Sequence, residues 1–308
     1  MKYIVTGGAG FIGSHIAEAV AGSHEVVVID DFSSGKLENL SMITGNVTTL
    51  QGSVTSLPLL KEAFCGADGI FHLAAIASVA RSIDDPAATH ATNLTGTLNV
   101  LLAARDCGVK KVVFSSSSAV YGDEPTLPKR EDMSAAPLSP YAVSKLGGEY
   151  YCRVFTELFG LKTVSLRYFN VFGPRQDPLS EYAAVIPKFI TRLLNNQPPV
   201  IFGDGKQTRD FVYVRDVVQA NLLAMQSSAT GTFNIGSGKC IDLTTLAGTL
   251  SDIMKVNFSP MYEKPRSGDI RDSFSDITAA KKELGFQPRY SLDQGLAETI
   301  NWFRERKR

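Results

Sequence analysis

Pro140-Tyr141-Ala142-Val143-Ser144-Lys145 sets a phenol and an ammonium four residues apart, so a helix brings both to one face. A cation ~4 Å away at an effective dielectric of ~20 favours a phenolate by ~4 kcal/mol, which carries a group ionising near 10 toward neutrality. A general base is expected there. Upstream, Lys111-Val112-Val113-Phe114-Ser115-Ser116-Ser117-Ser118 reads as a strand tipped with hydroxyls. The Tyr/Lys spacing also occurs on ordinary surface helices, and a serine run also closes ordinary strands. A dinucleotide fold around them separates the two readings.

Such a fold is written at the amino end. Lys2-Tyr3-Ile4-Val5-Thr6 is a short apolar strand that runs into Gly7, Gly10 and Gly13, followed by the amphipathic stretch Ser14 to Val20. Side chains in that turn would hold a pyrophosphate away from backbone N–H groups. A second strand, Glu25 to Ile29, ends at Asp30, about twenty residues beyond the glycines, where an acid accepts both ribose hydroxyls of an adenosine. Asp30 would repel a 2′-phosphate, so NAD is expected rather than NADP. Asp31, Ser33, Ser34 and Gly35 form a polar turn suited to the adenosine ribose and its phosphate; a solvated loop is the other reading.

The elements that must carry these groups follow in order. Val47 to Val54 reads as a third strand whose Ser53-Val54 end faces the adenine edge. Asp68 to Ala75 is a fourth that turns small at Leu73-Ala74-Ala75, as close passage of a cofactor requires. His72, inside that strand, reads as a buried and satisfied histidine. Thr89 to Cys107 has helical spacing of leucines, with Asn93 near its amino end. Val164 to Val171 is a sixth strand, and Gly173-Pro174-Arg175-Gln176-Asp177-Pro178 is a breaker-rich crossover. The expected division is therefore 1–172 for the cofactor and 173–308 for the substrate, with a segment near 209–236 returning to the first domain. In the second domain a helix is expected near Ala184 to Asn195, and strands at Val200 to Phe202 and Asp210 to Val214.

Composition narrows the class. With 308 residues and 44% hydrophobic content the chain can bury a sizeable core. Its 31 basic and 31 acidic residues leave no net field to attract nucleic acid or an anionic membrane. Cys65, Cys107, Cys152 and Cys240 form no sequence cluster, so buried free thiols are expected and no metal site. A strand starting at residue 2 leaves no room for a signal peptide, and no apolar run approaches the ~20 residues that span a bilayer, so a cytoplasmic protein is expected.

Taken with Gly7, Gly10, Gly13, Asp30, Ser117, Tyr141 and Lys145, the whole chain resembles the extended short-chain dehydrogenase/reductase family, and within it the UDP-hexose 4-epimerases. Tyr121-Gly122, Arg167-Tyr168-Phe169-Asn170, Thr208-Arg209-Asp210 and Arg266-Ser267-Gly268-Asp269 carry the likeness over residues 2 to 303. The resemblance implies an α/β fold, a doubly wound Rossmann-type parallel sheet with a smaller carboxy-terminal α/β substrate domain. Phe11, Ile12, Leu73, Asn93, Ser115, Phe169 and Lys145 would contact NAD. Asn170, Arg209 and Arg266 would meet the substrate diphosphate, Phe202 the uracil and Asp269 the uridine ribose.

The resemblance also implies a mechanism. Tyr141 removes the proton of the sugar 4-hydroxyl, Ser117 shares the hydrogen bond, and the C4 hydride passes to NAD and returns to the other face. Related dehydratases and decarboxylases carry an acid before the Tyr-Gly, whereas Ser118-Ala119-Val120 offers none. A non-catalytic NAD-binding regulator is the remaining alternative, disfavoured by intact Ser117, Tyr141 and Lys145. Small residues at Ala184 and Ser273, with Val185 beside them, resemble the wall of members that accept N-acetylated sugars, and Ser78-Val79-Ala80-Arg81-Ser82 is similar too. In the family the two helices from Thr89 and Tyr141 pair across a twofold axis, so a homodimer is expected.

Overall fold

Tyr3 and Val5 point to one side of the first strand and Ile4 to the other, and all three are buried, so helices must cover both faces. The computed structural model describes residues 1–178, 184–265 and 271–307 and contains that arrangement. Seven parallel strands, β1 (Lys2–Thr6), β2 (Glu25–Asp30), β3 (Val47–Gln51), β4 (Gly69–His72), β5 (Lys111–Ser117), β6 (Lys162–Tyr168) and β7 (Gly231–Ile235), lie in the order β7-β6-β5-β4-β1-β2-β3. The order reverses between β4 and β1. A crevice opens there at the carboxyl ends of the strands, where ligands of such sheets bind.

Helices Phe11–Ala21 and Val214–Gln226 bury Ile16, Ala17, Val20, Val217 and Ala220 against one face. Helices Leu57–Phe64, Gly96–Asp106 and Pro140–Phe159 cover the other through Leu60, Phe64, Val100, Leu101, Cys152 and Phe155. A separate core of Phe172, Phe189, Ile201, Phe211, Tyr213, Leu246 and Ile300 gathers helices Val185–Leu194, Leu243–Met254 and Leu292–Lys307. Beside it, Val200–Phe202 pairs with Met261–Glu263, and Ile241–Asp242, Thr208–Arg209 and Asp272–Ser273 form a small three-stranded sheet.

Several expectations are corrected. β3 stops at Gln51, with a last ladder bond from Gly52 N to the Asp30 carbonyl, and Ser53 and Val54 lie in a loop. β4 likewise ends at His72 and β5 at Ser117, where a short 3₁₀ turn, Ser118–Tyr121, begins. The sixth strand divides: its ladder with β7 ends at the bond from Phe169 N to the Ile235 carbonyl, and Asn170–Phe172 pairs separately with Phe211–Tyr213, itself shorter than Asp210 to Val214. The expected long helix is three pieces, Pro86–Thr89, a π turn at His90–Thr95, and Gly96–Asp106. A single inserted residue makes the π turn, too small a change for leucine periodicity to register.

The cysteines also depart from expectation. Only Cys152 is buried; Cys65 and Cys240 are exposed, and Cys107 is half-buried. Cys65 and Cys107 both donate from Sγ to the Lys61 carbonyl, at 3.4 and 3.3 Å, because the ends of their helices meet. Among the described residues no group of three His, Cys, Asp or Glu is placed to hold a metal, and no helix is long and apolar enough to cross a membrane.

Candidate active site

The turn after β1 is shaped by what it excludes. Gly7 has φ +70°, and a Cβ there would lie 2.6 Å from the Ala74 backbone nitrogen; a Cβ on Gly13 would strike the Gly7 carbonyl. The helix that begins at Phe11 has neither a side-chain cap at Gly10 nor an acid in its first turn. Its positive amino end therefore fits a pyrophosphate, with Phe11 and Ile12 opening the helix beside it.

Asp30 closes β2 and is 7% exposed. One oxygen accepts from Ala9 N and the other from Phe32 N, both at 2.9 Å. Burial pushes this carboxyl up while the two N–H groups pull it down. Each oxygen keeps lone-pair capacity for a ribose hydroxyl, so the carboxylate fits that partner. Ser33 N caps Asp31 at 2.9 Å, Ser34 is exposed, and a Cβ on Gly35 would meet the Asp30 carboxylate, so this turn wraps the acid. Ser53 Oγ accepts from Thr55 Oγ1, and Val54 is buried.

β4 delivers the opposite wall. Leu73 N bonds the Thr6 carbonyl at 3.0 Å, Ala74 N reaches Thr6 Oγ1 at 3.4 Å, and Ala75 follows half-buried. His72 sits between Thr6 Oγ1 at 2.7 Å and Thr97 Oγ1 at 2.9 Å, and burial lowers its pKa to about 3. It is a satisfied core histidine. Asn93, 2% exposed, uses its amide on the Ile76 backbone and on Ser144 Oγ, so the π turn clamps the loop after β4 to the helix that carries Tyr141.

β5 and that helix assemble the reactive groups. Ser139 caps the helix through Ala142 N, and Pro140 begins it, which places Tyr141 in the first turn. Tyr141 lies beside Ser117, whose hydroxyl favours the phenolate. Lys145, 3% exposed, donates from Nζ to the Ser115 carbonyl at 2.7 Å and lies 5.9 Å from the Tyr141 ring centre. Burial lowers its pKa to about 8, so it is still a cation at neutral pH. The expected depression of the phenol is not what this arrangement gives. Burial pushes Tyr141 up, and only neighbouring Ser117 draws it back. A cation against the hydroxyl would have lowered it, but Lys145 is turned to the strand backbone.

On the other side, Asn170 follows β6 and its N–H donates to the Asp210 carbonyl at 3.0 Å. Phe169 is buried against Tyr121. Arg209 donates from Nη1 to the carbonyls of Thr208 and Arg271, and strand pairing sets Ser273 directly opposite it. Ala184 is exposed at the start of the Val185–Leu194 helix, and Phe202 is half-buried at the end of its strand. Arg266 and Asp269 lie outside the described residues.

Four residues are given no role by the sequence reading. Ser116 Oγ donates to Glu149 Oε1, and Glu149 is held by Arg167 Nε and Nη2 at 2.9 and 2.7 Å. The signal was present in part: Glu149 continues the face of Tyr141 and Lys145 by one more step of four. Asp210, also missed, accepts from Ser237 N, Ser237 Oγ, Gly238 N, Ser275 N and Ser275 Oγ, tying Arg209 to two distant loops.

The chain is similar to known proteins over its whole length. Residues 3–236 match the model of the NAD dependent epimerase/dehydratase family. The chain is 40% identical over 316 residues to a UDP-glucose 4-epimerase of Mycolicibacterium smegmatis, covering 99% of each. It is 39% identical over 318 residues to a UDP-N-acetyl-alpha-D-glucosaminuronate decarboxylase of Bacillus cytotoxicus, covering 99% of this chain and 98% of the other. A solved UDP-N-acetylglucosamine 4-epimerase of Methanobrevibacter ruminantium M1, in complex with UDP-N-acetylmuramic acid, is 42% identical with a TM-score of 0.96, covering 99% of this chain and 98% of that one. The chain belongs to the NAD dependent epimerase/dehydratase family.

Proposed function

We propose that this chain is a UDP-hexose 4-epimerase that interconverts UDP-glucose and UDP-galactose through firmly held NAD. The observation that carries the reading is the meeting of Ser117, Tyr141 and Lys145 at the carboxyl edge of a sheet whose glycine turn and Asp30 fit a dinucleotide. Bound NAD supplies the acceptor, and afterwards the donor, of the sugar C4 hydride. Gly7, Gly10 and Gly13 leave backbone N–H groups for its pyrophosphate, Asp30 takes the adenosine ribose, and Lys145 the other ribose.

Tyr141 accepts the proton of the 4-hydroxyl, and Ser117 shares that hydrogen bond as charge develops. A buried phenol needs such help, since desolvation alone opposes its ionisation. Asn170, Arg209 and Arg266 would hold the diphosphate and leave the sugar free to turn over and present its other face. Phe202 packs on the uracil and Asp269 takes the uridine ribose. Two arginines suit a dianionic linkage.

Ser118-Ala119-Val120 lacks the acid that elimination or decarboxylation would use, which favours epimerisation over the activity named for the Bacillus relative. The small side chains of Ala184 and Ser273, with Val185 beside the first, would leave room for an acetylated sugar, so UDP-N-acetylglucosamine is accepted as well as UDP-glucose. Residues 1–172 with the returning 209–236 stretch serve the cofactor, and 173–308 the nucleotide sugar. Exposed Val143, Tyr150, Val154 and Leu158 on the Tyr141 helix supply the face of a homodimer, and the protein works in the cytoplasm.

Incubating purified protein with UDP-galactose and no added coenzyme tests the reading. Release of UDP-glucose supports it. Binding without turnover would make the chain a regulator, and release of carbon dioxide from a UDP-uronate would make it a decarboxylase.

A further inference from the structure

Three consecutive residues of β5 reach three successive turns of one helix. Ser117 lies beside Tyr141, the Ser115 carbonyl accepts from Lys145, and Ser116 donates to Glu149. The proposed chemistry uses the first two contacts and leaves the third unexplained. Glu149 is 5% exposed, Ser116 2% and Arg167 6%.

This third contact is an expensive one to bury. Arg167 comes from β6 to neutralise Glu149 with two parallel hydrogen bonds, and its guanidinium lies 4.7 Å over the Tyr121 ring. Tyr121 in turn donates to Asn234 Oδ1 on β7 at 2.7 Å. Buried ion pairs seldom stabilise a fold more than well-packed apolar side chains would, because desolvation offsets their attraction. Arg167 Nη1 is buried with no hydrogen-bond partner, so the cluster is not fully satisfied. Stability alone is a poor reason for it.

We infer that Glu149, held by Arg167, is a positioning residue that fixes the Ser115–Ser117 strand end against the helix and so sets the Tyr141 hydroxyl and the Lys145 ammonium. Ser116 lies between the two residues that hold those groups, and a strand end released at Ser116 moves both. A misplacement of about 1 Å is enough to cost on the order of 100-fold in rate. The inference rests on the epimerase reading.

Ser116→Ala tests it, because that variant removes only the strand-to-helix bond and leaves the Glu149–Arg167 pair whole; Glu149→Ala would strand a buried cation and is expected to fold poorly. For Ser116→Ala the expected result is kcat with UDP-galactose at least tenfold lower and KM within twofold of the unmodified protein. NAD content should be unchanged, Tm lower by only a few degrees for the loss of one buried hydrogen bond, and the kinetic isotope effect from 4-deuterated UDP-galactose larger. A kcat within twofold and an unchanged isotope effect would overturn the inference. So would a loss of kcat that merely follows lost NAD or a raised KM. Turnover by the unmodified protein in the same assay reports on the epimerase reading separately, and its absence overturns both.

Discussion

The carboxyl edge of β5 and the small sheet that carries Arg209 are held in contrasting ways. At the first, one strand end is bonded to one helix face in a fixed register, with Ser115, Ser116 and Ser117 answering Lys145, Glu149 and Tyr141. At the second, two-residue strands are drawn together by carboxylates from afar: Thr208 Oγ1 donates to Asp272 at 2.6 Å, and Asp210 gathers five donors from Ser237, Gly238 and Ser275. The first arrangement resists any shift of its reacting groups. If Ser273 lines the proposed sugar wall, the second would let that wall change without moving Tyr141.

The sharpest way to break that contrast is at the base itself. Tyr141→Phe is expected to lower kcat by at least ~10³-fold, about 4 kcal/mol, with Tm and bound NAD unchanged. A variant that kept a tenth of its turnover would show that the chemistry is not concentrated at this edge.

On the recognition side, Asp210→Asn sets an amide N–H₂ against donors that now meet a carboxylate. A stability loss of about 3 kcal/mol is expected, read as a lower urea midpoint at unchanged m. An unmoved midpoint would mean that the small sheet does not depend on its carboxylate.

A smaller effect belongs to the sheet interior. Burial holds His72 neutral with a pKa of about 3, whereas the unfolded chain takes up a proton below about 6.5. Stability from this group is therefore complete above 6.5 and is lost as pH falls from there toward 3. Between pH 7 and 5 the loss is ~2 kcal/mol. His15, lowered to about 4, acts in the same window. Urea titrations should show the slope, and His72→Gln should flatten it; a slope unaffected by that change would assign it to other groups.

The least effect expected is a change of sugar. Ser273→Tyr should lower kcat/KM for UDP-N-acetylglucosamine about tenfold relative to UDP-glucose, ~1.4 kcal/mol of discrimination. Equal losses on both sugars would remove Ser273 from the wall.

What the chain disclosed in advance follows the same contrast. A strand, a glycine turn and a helix are local patterns, so β1, the Phe11–Ala21 helix and Asp30 were readable, as was the shared face of Tyr141 and Lys145. The Glu149–Arg167 pair and the Asp210 hub join residues 18 and 65 positions apart, and no local pattern announces such partners. The phenol's environment was misjudged because spacing gives proximity but says nothing of burial, and burial dominates here. Breaks in elements are hidden for a similar reason: the change of strand partner after Phe169 and the π turn answer to neighbours remote in sequence.

One measurement bears most directly on the central claim, that the C4 hydrogen leaves as hydride and comes back to the same carbon. UDP-galactose incubated with the purified protein in deuterium oxide, without added coenzyme, should give UDP-glucose carrying protium at C4. Deuterium at that carbon, or no UDP-glucose at all, would contradict the account.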